Sequence, residues 1–417
     1  MLGFKQLDAK INGYLSPTLT FTHTDEVPDN MLEQMLNIMS VLGRPQGQLK
    51  VIHVAGTSGK TSTAYFIASL LKSAGHTVGL TVSPRIDTVR ERAMIDLTPL
   101  PEAEWAKYLN EFFDIIQKAQ LPATYFEFYM AFAYWIFAKL GLEYAVIETG
   151  IGGKWDASNV VTSRDKVCVI TDIGFDHTEI LGETLSAITS EKAAIIKSGN
   201  TAFINLQDSE AIEVVEAHCR EINASLDILD SAPTGDFMER NFYLAKHVVD
   251  FVLQRDGFSE LTGRQLSASR NIVIPARAEK VLYRGTDVIM DGSHNPQKLA
   301  AFADYIESKY PAADRIILAT FGSNKIATLD ESMRVLNRLS SKIILSSFKD
   351  ESLETSKREA IDAQTLIASA EKAGFTSILY QHEALKALDI AIAQSPEQVV
   401  VTGSFFLLNH IRPYLLG

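Results

Sequence analysis

Cysteine is nearly missing: Cys168 and Cys219 are the only two in 417 residues, which argues against a disulfide framework or a thiolate zinc site. No apolar run reaches bilayer-spanning length; the nearest, Tyr125 to Leu142, is interrupted by Glu127 and Lys139. The first residues, MLGFKQLDAKINGYL, lack the apolar core and small-residue cleavage site of a secretory leader. A cytoplasmic protein without a membrane partner is therefore expected. Positive charge is in deficit, with 39 Lys and Arg against 51 Asp and Glu for a net −12. That balance speaks against nucleic-acid binding, though a local basic pocket can still hold an anion. Internal repeats and low-complexity segments are also wanting. What remains is ordinary globular composition, 46% hydrophobic and 22% charged, in a chain long enough to need two cores.

Strand-like and helix-like segments alternate. Lys50 to Ala55 reads as a buried strand, Thr61 to Ala74 as a helix stopped by Gly75, and Thr77 to Val82 as a second strand. Helices are expected over 102–119 and 125–140, followed by short apolar strands at Tyr144 to Glu148 and Lys166 to Asp172. A second alternation follows Arg270, with strands near 288–290, 315–319, 342–346, 377–379 and 398–402 and helices between them. This pattern predicts an α/β chain with parallel sheets in two domains, 1–274 and a smaller, Rossmann-like α/β domain over 275–417; the glycine loop quoted next and the resemblance that follows it make the first a P-loop ATPase domain. The polar stretch Ser259 to Asn271 reads as the linker.

Between the first strand and its helix lies HVAGTSGKTST, His53 to Thr63. The strict phosphate-loop pattern fails, because its first glycine falls at Val54 or Ala55. The physics is kept: strand, glycine loop and helix point free N–H groups and a positive helix end at one anion. Gly56, Thr57, Ser58, Gly59, Lys60, Thr61 and Ser62 form the candidate nucleotide loop. Gly56 and Gly59 let the backbone close on phosphate, Lys60 adds a cation, and the Thr61 hydroxyl stands where a magnesium-bound nucleotide is usually met. Two later strands end in ETGIGGKWDASNVV, with Glu148, and ITDIGFDHTEILG, with Asp172, Asp176 and His177. Neighbouring strand ends are thus expected to aim a carboxylate and an imidazole at the loop.

Eight segments carry a family resemblance: HVAGTSGKTST, SPRIDTVRERAMID, TYFEF, ETGIGGKWDASNVV, ITDIGFDHTEILGETLSAITSEKAAIIKSG, PARAE, DGSHNPQ and TGSFFLL. In this order they resemble the Mur ligase superfamily of ATP-dependent amide ligases, and most of all its folylpolyglutamate synthase/dihydrofolate synthase branch. The resemblance implies transfer of the ATP γ-phosphate to a substrate carboxylate, then attack by the amine of L-glutamate on the acyl phosphate. It implies Lys60 as the phosphate-loop lysine; Ser83, Glu148 and His177 as magnesium ligands; and Lys192 as a lysine whose carbamate bridges to a second Mg2+. Taken alone, Lys192 reads as a solvated helix lysine. The resemblance also places Asn241, Arg277, Asp291 and His294 on ATP, and Arg85, Phe126, Lys154, Trp155, Asp156 and Ser158 around the acceptor. Lys60, Lys192 and His177 are the catalytic candidates, and a monomer is expected.

Departures from the branch lie around the catalytic core, in the phosphate loop, near Asn241 and among the acceptor candidates. The branch usually has Asn and Gly at Ser58 and Thr61, His at Arg85, Arg-Leu at Lys154-Trp155, Thr at Ser158, and His-Gln at Phe237-Met238. Two small-molecule acceptors are thus expected to compete, a pterin or another carboxylic acid. A P-loop kinase or regulatory ATP-binding module is the rival from another class.

Overall fold

The computed structural model describes residues 4–16, 32–205, 208–229, 236–311, 314–348 and 359–417. The chain forms two compact units, Met1–Ile272 and Val273–Gly417. Elements of the first run α1 (Phe4–Tyr14), α2 (Glu33–Val41), β1 (Lys50–Ala55), α3 (Lys60–Ser73), β2 (Val78–Thr81), β3 (Met94–Ile95), β4 (Thr98–Pro99), α4 (Glu102–Lys118) and α5 (Tyr125–Lys139). Then come β5 (Tyr144–Glu148), β6 (Val167–Ile170), α6 (Thr178–Leu181), α7 (Leu185–Ala193), β7 (Thr201–Ile204), α8 (Ser209–Ile222), β8 (Ser225–Ile228), α9 (Phe237–Arg255) and α10 (Gly263–Arg270).

These strands make one eight-stranded sheet, ordered β4-β3-β2-β5-β1-β6-β7-β8. All pairs from β2 to β8 are parallel, and the β3–β4 hairpin adds an antiparallel edge. The expected adjacency of the Glu148 and His177 strands needs correction: β5 and β6 do not pair but flank β1, with His53 opposite both Ile147 and Cys168. Chain order carries no information about strand order, and the observed order puts the phosphate loop at the centre. The linker reading of 259–271 is also corrected. Thr262 and Gln265 form a reciprocal capping box that starts α10, and Gln265 Nε2 and Ser269 Oγ bond to Ser73 at the end of α3.

Helix α5 is buried on all sides, with Phe128, Phe132, Tyr134 and Phe137 among its enclosed residues. Such a helix belongs inside a core and not on its surface. It packs with Leu7, Met35, Trp105, Phe112 and Ile147 in one continuous cluster. On the other side, Ala55, Cys168, Ile170, Ile195 and Val215 form a smaller core. Both cysteines are buried and reduced. Among the described residues no helix is long and apolar enough to cross a membrane.

The second unit contains β9 (Glu279–Tyr283), β10 (Thr286–Met290), α11 (Pro296–Lys309), β11 (Arg315–Ala319), α12 (Leu329–Asn337), β12 (Lys342–Leu345), α13 (Ala363–Ala373), β13 (Ser377–Tyr380), α14 (Ala384–Ala393), β14 (Gln398–Thr402) and α15 (Phe405–Leu416). Its sheet is ordered β13-β12-β11-β14-β10-β9, parallel except for β9 against β10. β14 thus returns between β11 and β10, a reversal that opens a crevice at the carboxyl ends of the strands.

Candidate active site

The phosphate loop is shaped by its neighbours before any ligand arrives. The Asp172 carbonyl, just after β6, accepts from the N–H groups of Thr57 and Ser58 at 2.7 and 3.2 Å. Thr171 Oγ1 donates to the Ser58 carbonyl at 2.7 Å, and the Thr57 hydroxyl and Gly174 backbone exchange bonds of 3.0 and 3.1 Å. A Cβ on Gly56 (φ 154°) would lie 1.9 Å from Thr171 Oγ1, and one on Gly59 (φ 84°) 2.6 Å from Asn241 Oδ1. Only glycine fits either position. Asn241 is itself buried and its Nδ2 has no partner, an amide donor at the loop's edge that suits an incoming acceptor atom.

Lys60 and Lys192 both donate to the Gly56 carbonyl at 3.0 Å. Lys192 is only 4% exposed, so its reading as a solvated lysine does not hold. Thr184 caps α7 through the Ala187 N–H, and the helix carries Lys192 in its last turn. Its carboxyl end is tied down by Asn159 and Lys197 on the Ala194 carbonyl and by Lys166 on that of Ile195. Burial holds the Lys166 ammonium below its ordinary range.

Beside the loop, Glu148 is 1% exposed. Its Oε1 accepts from Thr61 Oγ1 at 2.9 Å and its Oε2 from the Ser83 N–H at 3.1 Å. The structure thereby unites Thr61, Ser83 and Glu148, three hard-oxygen residues suited to magnesium. His177 occupies the left-handed N-cap of α6 (φ 53°), with Nδ1 3.7 Å from Glu179 Oε1. Among the described residues no cluster of three or more His, Cys, Asp or Glu could hold a metal.

The acceptor candidates divide. Asp156 accepts from the Gly150, Ile151 and Ser158 N–H groups at 2.8, 3.1 and 3.0 Å, and from the Ser158 hydroxyl. Burial pushes its carboxyl up, and these donors draw it back. Ser158 Oγ also meets His53 Nε2 at 2.8 Å. Both residues hold the glycine-rich loop from within. Phe126 lies against Gly150, with the Arg92 guanidinium 5.6 Å from its ring, and Lys154 Nζ sits 5.0 Å from the Trp155 ring. Arg85 lies in a turn whose Ile86, Asp87 and Thr88 N–H groups all donate to buried Glu91.

In the second unit, Asp291 Oδ1 accepts from the Ser293 N–H and hydroxyl at 2.9 and 2.6 Å, and Oδ2 from the Ala278 N–H at 2.9 Å. Burial raises its carboxyl above the usual range, and Arg277 offsets part of that. His294 Nδ1 lies 2.8 Å from the Gly292 carbonyl, its Nε2 lies 3.4 Å from Lys298 Nζ, and its ring meets Phe405 edge-on at 5.9 Å. The Arg277 guanidinium stands 4.6 Å from the centre of the same Phe405 ring. Sequence reading missed Thr171, Glu279, Arg412 and Phe405. Phe405 sits in the quoted TGSFFLL, where its place after the β14 strand end was the available signal.

A central glycine loop before a helix, a strand-end carboxylate beside it and a second α/β unit define an ATP-dependent ligase. The Mur ligase middle-domain model matches residues 54–257, and the Mur ligase glutamate ligase domain matches 276–405. The chain belongs to the Mur ligase family, ATP-dependent enzymes that form amide bonds. It is 29% identical to the folylpolyglutamate synthase of Lacticaseibacillus casei, over 92% of this chain and 94% of that one. It is 26% identical to the dihydrofolate synthetase of Saccharomyces cerevisiae, over 91% and 96%. The solved Mycobacterium tuberculosis folylpolyglutamate synthase, complexed with ADP and AMPPCP, superposes with a TM-score of 0.80 at 25% identity over 92% of this chain and 95% of that one.

Proposed function

We propose that this ligase joins L-glutamate to dihydropteroate, to a folate or to both, at the expense of ATP. The observation that carries the reading is the Thr61–Glu148–Ser83 constellation beside a phosphate loop bearing two lysines on one carbonyl. Backbone N–H groups of residues 59–62, at the start of α3, and the Lys60 ammonium hold the triphosphate, while Thr57 and Ser58 stay bonded to Asp172. Asn241 binds from the edge of the loop; in the second unit, Arg277, Asp291 and His294 are the residues that the family resemblance assigns to nucleotide. Ser83, Glu148 and His177 would hold magnesium, with Lys192, as a carbamate, taking a second ion; these ions supply charge neutralisation for the phosphates. Carbamylation turns a cation beside Lys60 into an anion that can ligate metal.

An acceptor carboxylate oxygen then attacks the γ-phosphorus as the bond to ADP breaks. The glutamate amine attacks the acyl carbon, loses a proton and expels phosphate as the amide forms. Lys60 stabilises charge on the transferred group. Arg85, Lys154 and Trp155 offer cations and an aromatic face to a flat anionic acceptor. Because these positions depart from the folate branch, a non-pterin carboxylic acid is the second reading.

The test is purified protein with ATP, L-glutamate and a panel containing dihydropteroate, folate and simple carboxylic acids. ADP, phosphate and amide should appear in equal amounts only with the true acceptor. ADP release without amide would overturn the ligase reaction for that acceptor set, and turnover with a simple acid alone would select the second reading. Lys192→Ala should be nearly inactive, and crystals grown with bicarbonate and nucleotide should show density for a carbamate. A bare amine directed away from a filled metal site would sink that role.

A further inference from the structure

Two alanines in the PARAE segment occupy the left-handed region: Ala276 at φ 54° and Ala278 at φ 47°. Arg277 lies between them. Alanine gains nothing locally from this conformation, since it has neither glycine's freedom nor the polar side chain of Asn. Something else must hold it, and each alanine has its own buried carboxylate. Asp291 Oδ2 accepts the Ala278 N–H, while Glu279 Oε2 accepts the Ala276 N–H at 2.9 Å. Glu279 is gripped in turn by Arg412 of α15, through Nε to Oε2 at 2.6 Å and Nη2 to Oε1 at 2.9 Å. Glu279 is 4% exposed and Arg412 8%. The Ala276 carbonyl, turned by the same twist, accepts from the Gly292 N–H and from Arg277 Nη1, both at 3.0 Å.

We infer that the Glu279–Arg412 pair is a positioning device for Arg277. The pair fixes the left-handed backbone at Ala276, and that backbone sets the guanidinium over Phe405. The bidentate fork leaves Glu279 one orientation, with Oε2 facing the Ala276 amide. The C-terminal helix thus acts on the nucleotide through a side chain that never meets it. This rests on the reading of Arg277 as a nucleotide-binding residue.

The experiment measures AMPPCP affinity by calorimetry in the full chain, with amide hydrogen exchange at Ala276 and Ala278. Arg277→Ala should weaken AMPPCP about tenfold. Arg412→Met and Glu279→Gln should each weaken it by a similar factor and speed exchange at Ala276 more than at Ala278. Adding Ala276→Gly to Arg412→Met should recover about fivefold of the loss, because glycine holds the left-handed turn unaided. A pair that merely packs the core would show no such rescue. Arg412→Lys, which keeps the charge without the fork, should fall between Arg412→Met and the parent, and it serves if Arg412→Met does not fold. Unchanged affinity in Arg277→Ala would remove the nucleotide role and the inference together. Weakening in Arg277→Ala with parent affinity in the Glu279 and Arg412 variants, or with no rescue by glycine, would overturn the inference alone.

Discussion

The two units shape their candidate nucleotide loops by opposite means. In the first, glycine permits the backbone: Gly56 and Gly59 have positive φ, and Thr171 and Asn241 fill the space where side chains would be. In the second, carboxylates compel it: Ala276 and Ala278 take a conformation that costs alanine about 1–2 kcal/mol each, held by buried Glu279 and Asp291. A permitted loop fails when something is added. A compelled loop fails when a support is removed.

The largest effect should come from crowding the permitted loop. Gly56→Ala places a methyl 1.9 Å from Thr171 Oγ1 and should lower AMPPCP affinity by about a hundredfold or more while the fold persists. Thr171→Ala in the same chain should restore part of it, and calorimetry with circular dichroism checks both. Next comes a lost support. Asp291→Asn offers one acceptor oxygen where three donors converge, so it should cost about 2–3 kcal/mol of stability, read as a lower melting temperature with weaker AMPPCP binding. Thr61→Val removes the 2.9 Å bond to Glu148 and should raise the magnesium needed for half-maximal turnover about tenfold; an unchanged titration would take Thr61 out of the metal site. The smallest effect sharpens the contrast. Ala276→Gly alone should leave melting unchanged or raise it by about 0.5 kcal/mol equivalent, whereas a clear loss of stability would show that the alanine conformation carries no penalty.

This contrast also explains what could be read without coordinates. Gly56, Gly59 and Lys60 announce the first loop because glycine and a lysine in that spacing serve few other purposes. Strand–helix alternation was legible for the same reason, since period and punctuation are local. The order β5-β1-β6 was not, because pairing is decided by packing across the whole sheet. The PARAE loop was recognisable only by family resemblance: nothing local in Ala276 or Ala278 signals a positive φ, and its supports lie 3 to 136 residues away, at Glu279, Asp291 and Arg412. Polarity misled over 259–271, where the T-x-x-Q capping signal of Thr262 and Gln265 should have outweighed composition. At the acceptor loop, the resemblance pointed to Asp156 and Ser158, yet Asp156 is engaged by the Gly150, Ile151 and Ser158 N–H groups and the Ser158 hydroxyl by Asp156 and His53, contacts across the fold that no local pattern signals.

Helix α5 has a consequence for how the chain is made. A segment apolar on every face is a hazard while it waits for partners, and it is most exposed on the ribosome. Much of its cover, from Leu7, Met35 and Val51 through Trp105, Phe112 and Ile116, is encoded before it. When Tyr125–Lys139 leaves the exit tunnel, that share of its shelter is already outside, and Ala145, Ile147 and Val160 follow soon after. Translation order itself thus shields the stickiest fifteen residues of the first unit, and a circular permutant opened between α4 and α5 would forfeit that protection while keeping every native contact.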